Sequence, residues 1–387
     1  MRGEAIMKWV SVYGNAQSKV TPHPAKYAKD VTLRYPIYIP FKGEKLSIRL
    51  ENFCGDEDVK IESVVISKGS SLSDKQTGDI RNLTFNGNLV CEMKAHGSIV
   101  SDVIDYPLKE DEYLIISMYL KEFTNLTSGV NITGPLSKGY FAYGNQTLND
   151  ELDLNTSMKT NWVYFLTNVD LYTSDENYAI ICYGDSITSQ DWPDYMQLEL
   201  KERGINNVAV IRKAVSGTRI LREYQCITYQ SYGLKGENRF IHEIEHVKGA
   251  KTLIIQHGIN DIIHPVGTDV NIFRPLSDMP TLDELIEGMK YYLEHAKRFK
   301  LDTYVGTLVP IYNWRTYAIF RENIKNEFNQ YLLTLPSIDF NNVIGELIDD
   351  EYHFKDGCDS GDHLHPSKFA YKLMAIKAVD TLFHNNK

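Results

Sequence analysis

Four short segments of this chain carry side chains that could perform acyl-transfer chemistry. The first is Tyr183-Gly184-Asp185-Ser186-Ile187-Thr188, which directly follows the apolar run AIIC. A serine on the turn leaving a buried strand can present its hydroxyl as a nucleophile. A glycine beside it lets the backbone turn sharply, and the N–H groups of a following helix would face developing negative charge. The plainer alternative is a serine that merely caps a helix. The second segment is Gly258-Ile259-Asn260-Asp261, after TLIIQH. The Asn260 amide could donate to an oxyanion, although an Asn-Asp turn is a common loop feature. The third is Val215-Ser216-Gly217-Thr218, where Gly217 could offer its N–H to the same oxyanion. The fourth is Gly361-Asp362-His363-Leu364-His365-Pro366. Asp362 and His365 stand three apart, close enough for the carboxylate to orient the imidazole as a general base. His363 reads instead as a surface histidine.

Other residues compete for attention. Trp192, Trp314 and Arg315 fall near expected strand ends and could contact substrate, or could simply pack. His257 and His264 flank the Asn260 segment and read as hydrogen-bonded structural histidines. The run His242-Glu243-Ile244-Glu245-His246 satisfies H-E-x-x-H, a zinc-protease pattern. Phe240, Ile241, Ile244 and Val247 already give that helix an apolar stripe, and no third ligand is apparent in sequence. The expectation is therefore no metal and no cofactor.

Such groups need a scaffold, and the chain changes character near Asp175. Before it, short runs such as Lys45 to Leu50, Val59 to Ile66, Tyr113 to Tyr119 and Trp162 to Thr167 alternate with turn signals such as Asn86-Gly87. That pattern predicts an antiparallel β-sandwich over residues 1–175. Beyond it, apolar runs at 178–183, 208–211, 252–256, 303–309 and around 338–340 alternate with helical patterns. Continuous apolar runs suit parallel strands covered on both faces. A three-layer α/β/α domain with a five-stranded parallel sheet is predicted for residues 176–387. In such sheets, sites lie at the carboxyl ends of the strands, where all four segments fall. Three helices are clearest: Pro193 to Arg203, closed by Gly204; Thr281 to Lys300, with a Thr281/Glu284 capping box; and Pro366 to Leu382, with Phe369, Leu373, Ile376 and Val379 on one face.

Bulk properties exclude several classes. The chain has 387 residues, 43% of them hydrophobic and 24% charged, which is the balance of a folded globular protein. A net charge of −10 repels phosphate backbones, so nucleic acid is not an expected partner. No apolar run is long enough for a membrane span. The five cysteines, Cys54, Cys91, Cys182, Cys226 and Cys358, show no metal-ligand spacing and read as reduced thiols. The first residues lack a secretory pattern, so a cytoplasmic location is expected. On that reading the five Asn-x-Ser/Thr sites, at Asn82, Asn125, Asn131, Asn145 and Asn155, are chance occurrences.

GDSI, the glycine loop, GIND and DHLHP occur here in the order and context of the SGNH (GDSL) hydrolase family, which residues 176–387 resemble. Ile187 replaces the leucine of the name motif. The resemblance implies a flavodoxin-like catalytic domain in which Ser186 is the nucleophile, His365 the base and Asp362 its partner. It also implies an oxyanion hole formed by Ser186 N–H, Gly217 N–H and the Asn260 amide. The stretch RLENFCGDEDVKIESVVI is similar to the β-rich, jelly-roll-like leader of two-domain members, among them carbohydrate acetyl esterases. The implied function is a serine esterase acting on O-acetylated carbohydrate. A lipase or arylesterase of broad acyl range, or an inactive sugar-binding protein, are the alternatives.

Overall fold

The computed structural model describes residues 6–20, 27–153, 155 and 157–383. Two compact units emerge. One holds the described residues up to Ala179 with Ile205–Ile211 and Val247–Ala250; the other holds Ile180–Gly204, Arg212–His246 and Lys251 onward.

The first unit is all-β and antiparallel. One sheet pairs Met7–Gly14 with Leu166–Ser174, then Gly43–Glu51, which also receives Ser98–Val100 and Ile104–Leu108. A six-stranded sheet runs through Met158–Thr160, Gly139–Tyr143, Val31–Tyr38, Tyr113–Leu120, Ser63–Gly69 and Arg81–Asn82. The run YLIISMYL has no polar alternation, and its strand is buried from Leu114 to Leu120. Such a strand must be covered on both faces. Beside it, Arg34 is fully buried. Its guanidinium donates to Ser117 Oγ and to the carbonyls of Asp74, Gln146 and Asn149 at 2.7–3.1 Å. Burial lowers its pKa to about 10, opposed by the charges of Asp74 and Asp150.

From Tyr178 onward the chain builds a five-stranded parallel sheet flanked by helices. Its strands are β1 (Tyr178–Gly184), β2 (Val208–Ala214), β3 (Ala250–Gln256), β4 (Asp302–Gly306) and β5 (Ser337–Ile338), in the order β2-β1-β3-β4-β5. The order reverses between β1 and β3, and a site is expected at the carboxyl ends there. The helices are α1 (Ser186–Ser189), α2 (Trp192–Glu202), α3 (Gly236–Glu245), α4 (Ile259–Ile263), α5 (Leu282–Arg298), α6 (Ile319–Leu333), α7 (Phe340–Ile344) and α8 (Lys368–Phe383). None of the described helices is long and apolar enough to cross a membrane.

Helix α5 starts where its sequence signal puts it. Thr281 Oγ accepts from Glu284 N at 3.2 Å, and the Glu284 carboxylate accepts from Thr281 N at 2.8 Å. Helix α8 departs from expectation in its buried face. Phe369 is 55% exposed and Ile376 36%, whereas Ala370, Tyr371, Met374, Ala375, Ala378 and Val379 face inward. Close packing against α2 explains the difference: small side chains let two helix backbones approach, and Phe369 would hold them apart. An Arg203–Asp380 ion pair at 2.6 Å ties the end of α2 to α8, and a Tyr371–Gln190 hydrogen bond at 3.1 Å ties α8 to the end of α1.

Candidate active site

Ser186 opens α1 immediately after β1. The Asp185 side chain caps this turn, accepting from Ile187 N at 3.1 Å. Its other oxygen is buried without a hydrogen-bond partner. Burial pushes the Asp185 carboxyl up to about 7, against the Ile187 hydrogen bond and the charge of His365. The preceding glycine is required by space. A Cβ at Gly184 would stand 2.3 Å from the Gln256 carbonyl oxygen and 2.5 Å from Thr188 Oγ1. The Gly184 carbonyl is itself held by Arg239 at 2.6 Å and by Val215 N at 3.2 Å.

The segment before α8 meets this turn from the far end of the sequence. His365 Nε2 lies 2.9 Å from Ser186 Oγ, and His365 Nδ1 lies 2.6 Å from Asp362 Oδ2. The other Asp362 oxygen accepts from His365 N at 2.8 Å, Leu364 N at 3.0 Å and Ser360 Oγ at 3.2 Å. Partial burial works against its charge. The hydrogen bonds from the His365 ring, His365 N and Leu364 N nonetheless hold its pKa well below the usual carboxylate range. His363, two residues earlier, turns away and pairs with Asp359 at 2.6 Å. Ser186 is buried to 7% exposure, while the His365 side chain is 22% exposed. The structure thus aligns a hydroxyl, an imidazole and a carboxylate in hydrogen-bonded series.

Helix α4 fastens the glycine loop beside this series. Asn260 Nδ2 donates to the Thr218 carbonyl at 3.0 Å, which leaves its second amide hydrogen available. Asp261 accepts from Ile220 N at 2.8 Å and Leu221 N at 3.0 Å, and burial raises its pKa to about 6. His257 is fully buried between Tyr292 Oη at 3.0 Å and Thr218 O at 3.2 Å. Burial and the Arg239 charge lower its pKa well below the ordinary value, so it stays neutral. Gly217 adopts φ +82°, and a Cβ there would stand 2.3 Å from the Tyr232 ring. Sequence reasoning does not reach Asp261 as a site residue. Its position next to Asn260 was visible, but its role as clamp for Ile220 and Leu221 depends on a contact forty residues away.

The expected substrate contacts divide. Trp192 needs correction: it is fully buried, with its ring 5.4 Å from that of Phe340 and Nε1 3.4 Å from Thr188 Oγ1. It packs the core beneath α1 and offers no surface to a ligand. Trp314 and Arg315 lie in the loop after β4, where the Arg315 guanidinium stacks 4.6 Å from the Trp314 ring. Thr316 ties that loop to the end of α4 through the Ile263 carbonyl at 2.8 Å.

The zinc-protease pattern does not assemble. Glu243, which would have to act as base, turns inward and forms a buried ion pair with Arg239 at 2.5 Å. His242 and His246 share a helix face with Glu245 instead, their ligand atoms within 4.8 Å of one another.

The model of the GDSL-like Lipase/Acylhydrolase family matches residues 180–378. A search of curated proteins finds no match. Among solved structures, a GDSL-like lipase of Bacteroides thetaiotaomicron is 14% identical, with TM-score 0.39, over 54% of this chain and 88% of its own. A putative lipolytic protein of the G-D-S-L family from Desulfitobacterium hafniense is 18% identical, with TM-score 0.38, over 53% and 99%. An acetylxylan esterase of Geobacillus stearothermophilus is 14% identical, with TM-score 0.41, over 53% and 94%. With a family match spanning more than half its length, the chain belongs to the GDSL-like lipases and acylhydrolases, hydrolases of carboxylic esters.

Proposed function

We propose that this protein is a serine esterase that removes O-acetyl groups from carbohydrates. The observation that carries the reading is the Ser186–His365–Asp362 series, with contacts of 2.9 and 2.6 Å. A neutral serine hydroxyl is a poor nucleophile. His365 takes its proton as Oγ attacks the ester carbonyl. Asp362 holds the imidazole with its proton on Nδ1 and stabilises the imidazolium that forms. The tetrahedral oxyanion is received by Ser186 N–H, Gly217 N–H and the free amide hydrogen of Asn260. The intermediate collapses, His365 returns the proton to the departing sugar oxygen, and Ser186 is left acylated. Water, deprotonated by the same imidazole, then releases acetate and restores the hydroxyl.

Acetylated carbohydrate is favoured as substrate by the β-rich leader and by the aromatic side chains in the loops around the glycine segment. The test is acetate release from acetylated oligosaccharides by wild-type and Ser186→Ala protein, alongside fluorophosphonate labelling. Wild type should release acetate and take up the probe, and Ser186→Ala should do neither. Full activity in Ser186→Ala would refute the nucleophile. Strong preference for long acyl chains on nitrophenyl esters would make the protein a broad-range lipase instead.

A further inference from the structure

One cluster beside the glycine loop is left unused by acyl transfer. Tyr224, Tyr229 and Tyr232 pack edge to face and at a tilt, with ring centroids 4.7–5.7 Å apart. His264 joins them, stacked 5.2 Å from Tyr232. His264 closes α4 and donates its backbone N–H to the Asn260 carbonyl at 3.2 Å, so it stands one turn beyond Asn260. Tyr232 in turn lies against Gly217. Two arginines cover the rings: Arg219 over Tyr224 at 4.3 Å and Arg274 over Tyr229 at 4.5 Å.

The charge balance of this cluster is unusual. Arg219 reaches Asp278 at 3.2 Å, a carboxylate shared with Arg222 at 3.6 Å. Arg274 is only 7% exposed, its Nε is buried without an acceptor, and no carboxylate pairs with it among the described residues. Its guanidinium rests on rings alone. A buried cation without a counter-charge is costly. Further polar atoms here are buried without partners: Arg274 Nε, Arg219 Nε, Tyr224 Oη and His264 Nδ1. Burial, reinforced by the charges of Arg274, Arg219 and Arg315, keeps His264 neutral, so it adds no positive charge and can accept a hydrogen bond. The cluster therefore lacks one negative charge and several hydrogen-bond partners.

We propose that this cluster is the subsite for a carboxylate carried by the sugar ester, with Arg274 as its counter-ion. The inference rests on the esterase reading for its substrate and on the cluster itself for its charge. One uncompensated guanidinium matches a monoanion, and its planar donors match a carboxylate. Tyr229 and Tyr232 are only half-buried and offer aromatic surface to the C–H face of a sugar ring. The class of ligand is a uronic-acid-type sugar, whose ester linkage would be presented alongside the Gly217 loop.

Binding tests this without requiring catalysis. Calorimetry on the full chain with methyl glucuronoside and methyl glucoside should show at least tenfold tighter binding of the glucuronoside. Arg274→Gln should abolish that ratio, and Arg274→Lys, which keeps the charge but not the planar fork, should retain part of it. Thermal melts establish that the variants fold, and the lysine variant serves if the glutamine variant does not. Acetylated glucuronoside and glucoside then supply the kinetic ratio, in which Arg274→Gln should lower kcat/KM at least tenfold more for the charged substrate. Equal binding of the two glycosides by wild type, or a glucuronoside preference that survives Arg274→Gln, overturns the proposal. Inorganic phosphate that binds more tightly than glucuronoside overturns the carboxylate assignment. If neither glycoside ester is cleaved while the binding ratio holds, the esterase reading fails and the anion subsite stands.

Discussion

Replacing Asp362 by asparagine changes little in shape and much in proton placement. Asp362 Oδ1 accepts three bonds, from His365 N, Leu364 N and Ser360 Oγ. Those donors dictate the orientation of the new amide: its oxygen must occupy the Oδ1 position, because an NH2 there would face two backbone N–H groups. The amide nitrogen then takes the place of Oδ2, 2.6 Å from His365 Nδ1. An amide nitrogen cannot accept, so Nδ1 must shed its proton and become the acceptor. The imidazole proton moves to Nε2, which then points an N–H at Ser186 Oγ and can no longer take its proton. The loop stays in place, yet the base is in the wrong tautomer. The equivalent change in a serine-protease triad lowers kcat about 10⁴-fold, or roughly 5 kcal/mol of transition-state stabilisation at 1.36 kcal/mol per tenfold. The assay is steady-state kinetics on nitrophenyl acetate with the Asp362→Asn protein, together with a urea melt. A fall in kcat of about 10⁴ with nearly unchanged KM and midpoint is expected. A variant that keeps a tenth or more of wild-type kcat would show that Asp362 does not set the tautomer.

Three further outcomes follow from the same geometry. Asn260→Ala removes one oxyanion donor and should lower kcat by about 10²- to 10³-fold; a rate within threefold of wild type, measured on the same ester, would remove Asn260 from that role. Gly184→Ala forces a Cβ to within 2.3 Å of the Gln256 carbonyl and should destabilise the fold by about 1–3 kcal/mol in urea unfolding, with no compensating contact. The contribution of two buried acids to stability should also fall as pH rises from about 4 to about 7, against the opposite contribution of buried neutral His257 and His264, which the unfolded chain protonates below about 6.5. Burial raises the pKa of Asp185 to about 7 and that of Asp261 to about 6, above the usual unfolded value near 3.9, so the folded state holds protons that the unfolded chain has released. The urea midpoint of Asp185→Asn relative to wild type should therefore rise across that window, and a constant difference between the two would contradict the buried-acid account.

Much of the site was readable because its parts are local signals on regular elements. Apolar runs marked β1 to β4, and the Thr281/Glu284 box marked the start of α5. The three-residue spacing of Asp362 and His365 announced their bond. What sequence could not supply was anything set by tertiary neighbours. Trp192 looked like a pocket wall and is core, because Phe340 and Thr188 close over it. The inward face of α8 is lined by alanines because α2 comes close, and a hydrophobic stripe chosen by side-chain size pointed to Phe369 instead. Arg274 carries no motif; its significance lies in the tertiary neighbours around it, rings with no paired carboxylate among the described residues. The antiparallel pairings of the first unit join strands as far apart as Met7 and Ser174, beyond any local pattern.

The bond between His365 and Ser186 also has a consequence in time. Its two ends are separated by 179 residues of chain. At about 5–20 residues per second, a ribosome needs roughly 10–40 s to travel from one to the other. For that whole interval the nucleophile is on the chain while its base does not yet exist. A half-made chain is therefore harmless to ester metabolites around it, and the onset of hydrolysis reports that the last α/β layer has closed. An activity-based probe applied to stalled nascent chains would read this as a step: silent until the DHLH segment has cleared the ribosome, and then abruptly labelled.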